Sequence, residues 1–101
     1  MINFLKNLLK PAAPLDVQGL LKRGAVILDV RTEQEFKSGH VKGSINIPLD
    51  KLSKNLSKLK KDKPVITCCA SGMRSATAKH ILKTSGFAEV FNAGSWSSIK
   101  I

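Results

Sequence analysis

Two uninterrupted apolar runs constrain the fold of this chain more than any other feature: Ala25-Val26-Ile27-Leu28-Asp29-Val30, which ends in a charge, and Pro64-Val65-Ile66-Thr67-Cys68. A strand with one face in water alternates apolar and polar residues, whereas a strand covered on both faces stays apolar throughout. These runs therefore read as strands of a parallel sheet lying between layers of helix. The segments around them carry helical patterns. Asp16 to Arg23 places Val17, Leu20 and Leu21 on one face and stops at Gly24. Thr32 caps a short helix through Lys37, with Glu35 completing a capping box and Ser38-Gly39 ending it. Ser44 to Ile47 reads as a short strand closed by Pro48, and Asp50 as the cap of a lysine-rich helix. Ser75 to Lys83 is helical and ends at Gly86; Glu89 to Phe91 is a last strand before an Asn92-Ala93-Gly94 turn. The expected fold is α/β, a small parallel sheet flanked by helices on both faces.

At 101 residues the chain has room for one core. The Pro11-Ala12-Ala13-Pro14 spacer divides it into an N-terminal segment, 1–14, and a domain, 15–101. Within Met1 to Lys10, Phe4 and Leu8, and Leu5 and Leu9, stand four apart, the pattern of a short amphipathic helix that would dock on the domain, the favoured reading, or on a membrane surface. Lys6 and Lys10 interrupt it and no small-residue cleavage site follows, which argues against a secretory signal. No apolar stretch approaches the roughly 18 residues of a membrane span, which argues against a membrane protein. Two adjacent cysteines close almost no chain and are poorly placed for a disulfide, so reduced thiols in a cytoplasmic setting are expected.

Seventeen basic against seven acidic residues give a formal charge of +10. The distribution argues against nucleic acid. Lys51, Lys54, Lys58, Lys60, Lys61 and Lys63 crowd one segment whose Leu52, Leu56 and Leu59 recur at helical spacing, the pattern of an amphipathic helix with a solvated basic face. The chain has three arginines and no tyrosine, and nothing interleaves aromatics with the basic residues as base stacking requires. Small anions or an acidic protein partner suit this charge better.

Chemistry concentrates at Cys69-Ala70-Ser71-Gly72-Met73-Arg74-Ser75, where a strand gives way to a small-residue loop and then a helix. Backbone N–H groups converge in such a loop, and the positive end of the helix dipole lies behind them. A thiol there is acidified from about 8.5 toward roughly 3.5–7.5, and its thiolate is the reactive form. Arg74 adds a permanent charge in a planar fork suited to oxyanions.

Three collinear pieces make the chain resemble a single-domain rhodanese, a sulfurtransferase: Leu28-Asp29-Val30-Arg31 with Glu35-Phe36; Gly39-His40-Val41 with Gly43-Ser44-Ile45-Asn46-Ile47-Pro48; and Cys69 to Ser75. The resemblance spans about residues 16–96. It implies that Cys69 takes the outer sulfur of a small anionic donor such as thiosulfate, becomes a persulfide and passes that sulfur to cyanide or a thiol. It also implies that Ala70, Ser71, Gly72, Met73 and Arg74 form the substrate loop, with Gly72 supplying a positive dihedral or a close approach, and that Asp29 and Arg31 tie loops together near the site, where Ser75 also lies. Trp96 follows Gly94-Ser95, where the family often has two glycines, and is expected in the core or a pocket wall.

Counted from Cys68, the same segment reads Cys68-x5-Arg74, the phosphate loop of cysteine-dependent phosphatases, some of which share the rhodanese fold. Thr67 before it, and Gly72 third after Cys69, favour sulfur transfer. Cys68 is then the last residue of its strand, buried as a small hydrophobe, or a resolving thiol that pairs with Cys69 under oxidation. A noncatalytic sulfur-carrier or docking module, with the basic face recognising an acidic partner, is the third reading. Neither His40 nor His80 stands at metal-ligand spacing from the cysteines. No metal and no cofactor is expected, because covalent sulfur transfer needs none.

Overall fold

The computed structural model describes residues 15–101. The expected helix over Met1 to Lys10 lies outside the described residues. Four parallel strands, β1 (Val26–Asp29), β2 (Ile45–Asn46), β3 (Val65–Cys69) and β4 (Val90–Ser95), form one sheet in the order β2-β1-β3-β4. Four α-helices connect and cover them: α1 (Val17–Lys22), α2 (Glu33–Ser38), α3 (Leu49–Leu52) and α4 (Met73–Thr84).

Alternation along the buried strands splits the core into two layers, as side chains of period two must. Leu28, Val65 and Cys69 point to one face, where they pack with Ala78 and Leu82 of α4 and Leu52 of α3. Ile27, Ile66 and Cys68 point to the other, against Val17 and Leu20 of α1 and the partly buried Trp96 and Ile99. Helices thus cover both faces, as the two apolar runs require. Among the described residues no helix is long and apolar enough to cross a membrane.

Several expected boundaries differ, among them that of the helix expected over Ser75 to Lys83, which runs Met73–Thr84. The lysine-rich helix stops after Leu52 and resumes only as a 3-10 turn at Leu56–Lys58. Lys51, Lys54 and Lys58 would stack like charges three and four residues apart in a continuous helix. Instead Asn55 Nδ2 donates to the Lys51 carbonyl at 2.7 Å and closes α3, while Leu52 and Leu59 still reach the core. Asp50 is not the cap of α3: Pro48 holds that position and Asp50 lies exposed in the first turn. Finally, β4 runs through the expected Asn92-Ala93-Gly94 turn, because a bulge absorbs Ala93: Thr67 faces Asn92, Cys68 faces Gly94 and Cys69 faces Ser95.

Candidate active site

Every strand runs in the same direction, so the carboxyl ends of β1, β3 and β4 meet at one edge, where ligands of open α/β sheets bind. Cys69 is the last residue of β3, one longer than expected, and its side chain is buried beneath the loop Ala70–Gly72. Gly72, the N-cap of α4, has φ +106°, a conformation only glycine adopts without strain. That turn aims the Gly72 N–H at the Cys69 sulfur, 2.9 Å away. A Cβ on Gly72 would also come within 3.4 Å of the Gly94 backbone, which the β4 bulge brings alongside. Ser75, buried in the first turn of α4, places Oγ 3.3 Å from the same sulfur. Its own hydroxyl donates to Asn92 Oδ1 at 2.6 Å, and Thr67 Oγ1 donates to its carbonyl at 2.9 Å, pinning α4 to β3.

Burial pushes the Cys69 thiol up, but the Ser75 hydroxyl and the N–H groups of Ser75, Gly72 and Ser71 together outweigh it, so the pKa falls below its ordinary value. Cys68 has the opposite fate. It lies on the far face of β3, where burial, reinforced by the Asp29 carboxylate, drives its thiol up to about 12. Adjacent strand residues point to opposite faces, so closing a Cys68–Cys69 disulfide would demand breaking the end of β3. Both cysteines are free.

Arg74 does not present an empty fork to the loop. Its Nη1 and Nη2 donate to Glu35 Oε1 and Oε2 at 2.7 and 3.0 Å, a bidentate pair joining α4 to α2 across 39 residues of sequence. Glu35 also accepts from the Thr32 N–H at 3.1 Å in the expected capping box. The Arg74 bond first, then the Thr32 N–H, hold the Glu35 pKa at about 2 instead of 4.5. A depressed carboxylate pKa stabilises the fold above 4.5, and that contribution disappears as pH falls toward 2. Glu35→Gln is accordingly expected to flatten the loss of stability between these pH values, read from urea unfolding midpoints across acid pH. The pair is about one-third exposed, so the effect is smaller than the shift alone implies.

Asp29 and Arg31 stand at the neighbouring strand end as a buried ion pair. Arg31 Nε donates to both carboxylate oxygens at 3.0 Å and Nη2 to Oδ2 at 2.7 Å. Nη2 also donates to the Gly39 carbonyl at 2.6 Å and Nη1 to that of Glu35 at 3.3 Å, while the guanidinium lies 4.5 Å over the Trp96 ring. The pair thus binds the end of β1 to α2 and to the segment after β4. His40 stacks on Phe36 at 3.7 Å and His80 is exposed on α4, neither near Cys69 in any hydrogen bond. Among the described residues no three His, Cys, Asp or Glu side chains are placed to hold a metal ion. Ala70, Ser71 and Met73 are exposed around the loop mouth, Met73 at 80%.

With this geometry in place, the chain itself matches the family model of the rhodanese-like domain over residues 13–101. The chain belongs to that family. Its match to the thiosulfate sulfurtransferase GlpE of Pseudomonas savastanoi is 32% identical over 83 residues, covering 82% of this chain and 78% of that one. The uncharacterised protein YqhL of Bacillus subtilis is 39% identical over 70 residues, 69% of this chain and 56% of YqhL, so the chain spans little more than half of that relative. A solved rhodanese from E. coli superposes with a TM-score of 0.72 at 33% identity, over 76% of this chain and 93% of that one.

Two contributors to this rhodanese site escaped the sequence reading. Asn92 sits in what reads as a turn, and its bond to Ser75 spans 17 residues. Glu35 carries a complete local explanation in its capping box, which conceals its second partner, Arg74.

Proposed function

We propose that this chain is a sulfurtransferase that carries sulfane sulfur as a persulfide on Cys69. The position of the Cys69 sulfur, at the focus of the Gly72 N–H and the Ser75 hydroxyl, carries this reading. The Cys69 thiolate attacks the outer sulfur of thiosulfate; the S–S bond to the sulfonate breaks, its electron pair leaves with sulfite, and a Cys69 persulfide anion remains. Cyanide or a thiolate then attacks the outer sulfur, giving thiocyanate or a new persulfide and returning the Cys69 thiolate. Charge is conserved in both steps, and the loop N–H groups meet an anion at each stage. No cofactor enters.

The phosphatase alternative needs Cys68 as nucleophile and the Arg74 fork on the phosphate. Cys68 lies on the opposite face with a thiol near 12, and Glu35 occupies the fork. The name of the GlpE relative, a thiosulfate sulfurtransferase, supports thiosulfate as donor. The exposed Lys54, Lys58, Lys60, Lys61 and Lys63 offer an acidic protein donor or acceptor a place to dock. Intact mass of the reduced protein after brief thiosulfate treatment is expected to rise by one sulfur atom and to return when cyanide is added. No gain, together with hydrolysis of an aryl phosphate, would overturn the proposal in favour of phosphate chemistry.

A further inference from the structure

We propose that Asn92 sets how readily Cys69 ionises, by competing with its sulfur for the single hydroxyl proton of Ser75. The inference deepens the sulfur-transfer reading, but its test reads ionisation alone, so its failure leaves persulfide formation to be judged separately.

Two backbone groups fix the orientation of the Asn92 amide. The Gly94 N–H donates to Oδ1 at 2.9 Å, and Nδ2 donates to the Gly72 carbonyl at 3.2 Å. Turning the amide over would set donor against donor at Gly94 and acceptor against acceptor at Gly72, so these two backbone groups assign it. Oδ1 therefore faces Ser75 and can only accept, which commits the Ser75 proton across the 2.6 Å contact. A hydroxyl has one proton. With that proton on Asn92, Ser75 meets the Cys69 sulfur with lone pairs, at 3.3 Å, and the thiol S–H fills the gap. The resting relay thus runs from the Cys69 thiol through the Ser75 hydroxyl to Asn92.

When the thiol gives its proton to water, sulfur and Ser75 oxygen face each other with lone pairs. The hydroxyl then swings to the thiolate, the stronger, charged acceptor. Asn92 Oδ1 loses it and keeps the Gly94 N–H, so it is not left bare. Forming the thiolate consequently costs the Ser75–Asn92 hydrogen bond, and deleting Asn92 removes that cost. The Gly72 carbonyl keeps a partner without Asn92, since it also accepts the first helical bond from the Ala76 N–H at 3.1 Å.

Charged neighbours do not supply this effect. Asp29 from β1 is paired with Arg31, Glu35 from α2 with Arg74 of α4, and the Cys68 thiol stays neutral across the working range. β4 carries no titratable side chain.

The test is the pH profile of iodoacetamide alkylation, in a Cys68→Ala background so that Cys69 alone reports. Asn92→Ala is expected to move the midpoint down and to raise the alkylation rate below it about five-fold, the weight of one neutral hydrogen bond. Ser75→Ala should move it up, and adding Asn92→Ala to Ser75→Ala should change nothing further. Asn92→Asp, which keeps an oxygen on Ser75 and adds charge, should move the midpoint up, by less when Ser75 is also replaced; it carries the test if Asn92→Ala does not fold. A midpoint that Asn92→Ala leaves in place or raises, an equal shift with and without Ser75, or an Asn92→Asp shift insensitive to Ser75 would each overturn the inference.

Discussion

Cys69→Ala is expected to abolish persulfide formation and to lower sulfur transfer by on the order of a thousand-fold or more, as removal of a covalent nucleophile does. Cys68→Ala should leave both nearly intact. The two residues are adjacent, have the same side chain and are both buried, so the contrast isolates strand direction and electrostatics from chemistry. One sulfur turns toward α4, where the loop N–H groups and Ser75 stabilise negative charge; the other turns toward α1, where burial and Asp29 oppose it. Cys68→Ala removes a sulfur from a dry layer and should cost about 1 kcal/mol of stability, seen as a modestly lower melting temperature. The measurement is intact mass after thiosulfate, paired with cyanide-dependent thiocyanate release. Sulfur gain that vanishes in Cys68→Ala and survives in Cys69→Ala would reverse the assignment. The same strand geometry predicts that oxidant converts Cys69 to sulfenic acid or an intermolecular disulfide without a Cys68–Cys69 bridge.

How far the site was legible depends on whether a residue's partner lies nearby in sequence. The apolar runs at Ala25 and Pro64 foretold the parallel sheet because burial on both faces leaves a local trace, and the Thr32–Glu35 box foretold the start of α2 because both bonds close within one turn. The loop from Cys69 to Gly72 was legible for the same reason: its glycine, its thiol and the following helix are contiguous. Arg74 was legible as a cation but not as half of a pair, because Glu35 arrives from a different helix. Asn92 was read as a turn residue, which asparagine commonly is, but β4 continues through it in register with Thr67, and strand alternation sets it on the face toward Ser75. The lysine-rich segment misled in a different way. Its leucines kept helical spacing, but like charges at the same spacing oppose a continuous helix, and two short pieces deliver the leucines to the core instead.

Asp29→Ala is expected to be the most destabilising single change outside the hydrophobic layers, by about 3–5 kcal/mol, because it leaves a buried guanidinium without its counter-charge. For a domain of this size that corresponds to a melting temperature lowered by on the order of 20 °C. Arg31 is engaged on every side. Its side chain is 4% exposed, it holds the Asp29 carboxylate through Nε and Nη2, and the same guanidinium reaches the Gly39 and Glu35 carbonyls that end α2. Asn46 adds a second clasp, its Nδ2 donating to the Asp29 and Arg31 carbonyls at 3.0 and 2.9 Å. Arg31→Lys keeps the charge but can form neither the planar fork nor the contact over Trp96, so it should recover only part of the loss seen in Arg31→Ala. Asp29→Ala/Arg31→Met, which removes both charges, should be more stable than Asp29→Ala alone, since an unpaired buried charge costs more than its absence. Equal melting temperatures for these two variants would show that the pair acts through its hydrogen bonds to α2 and not through charge. In either case α2 carries Glu35, so loosening this anchor should also weaken the Glu35–Arg74 pair that joins α2 to α4.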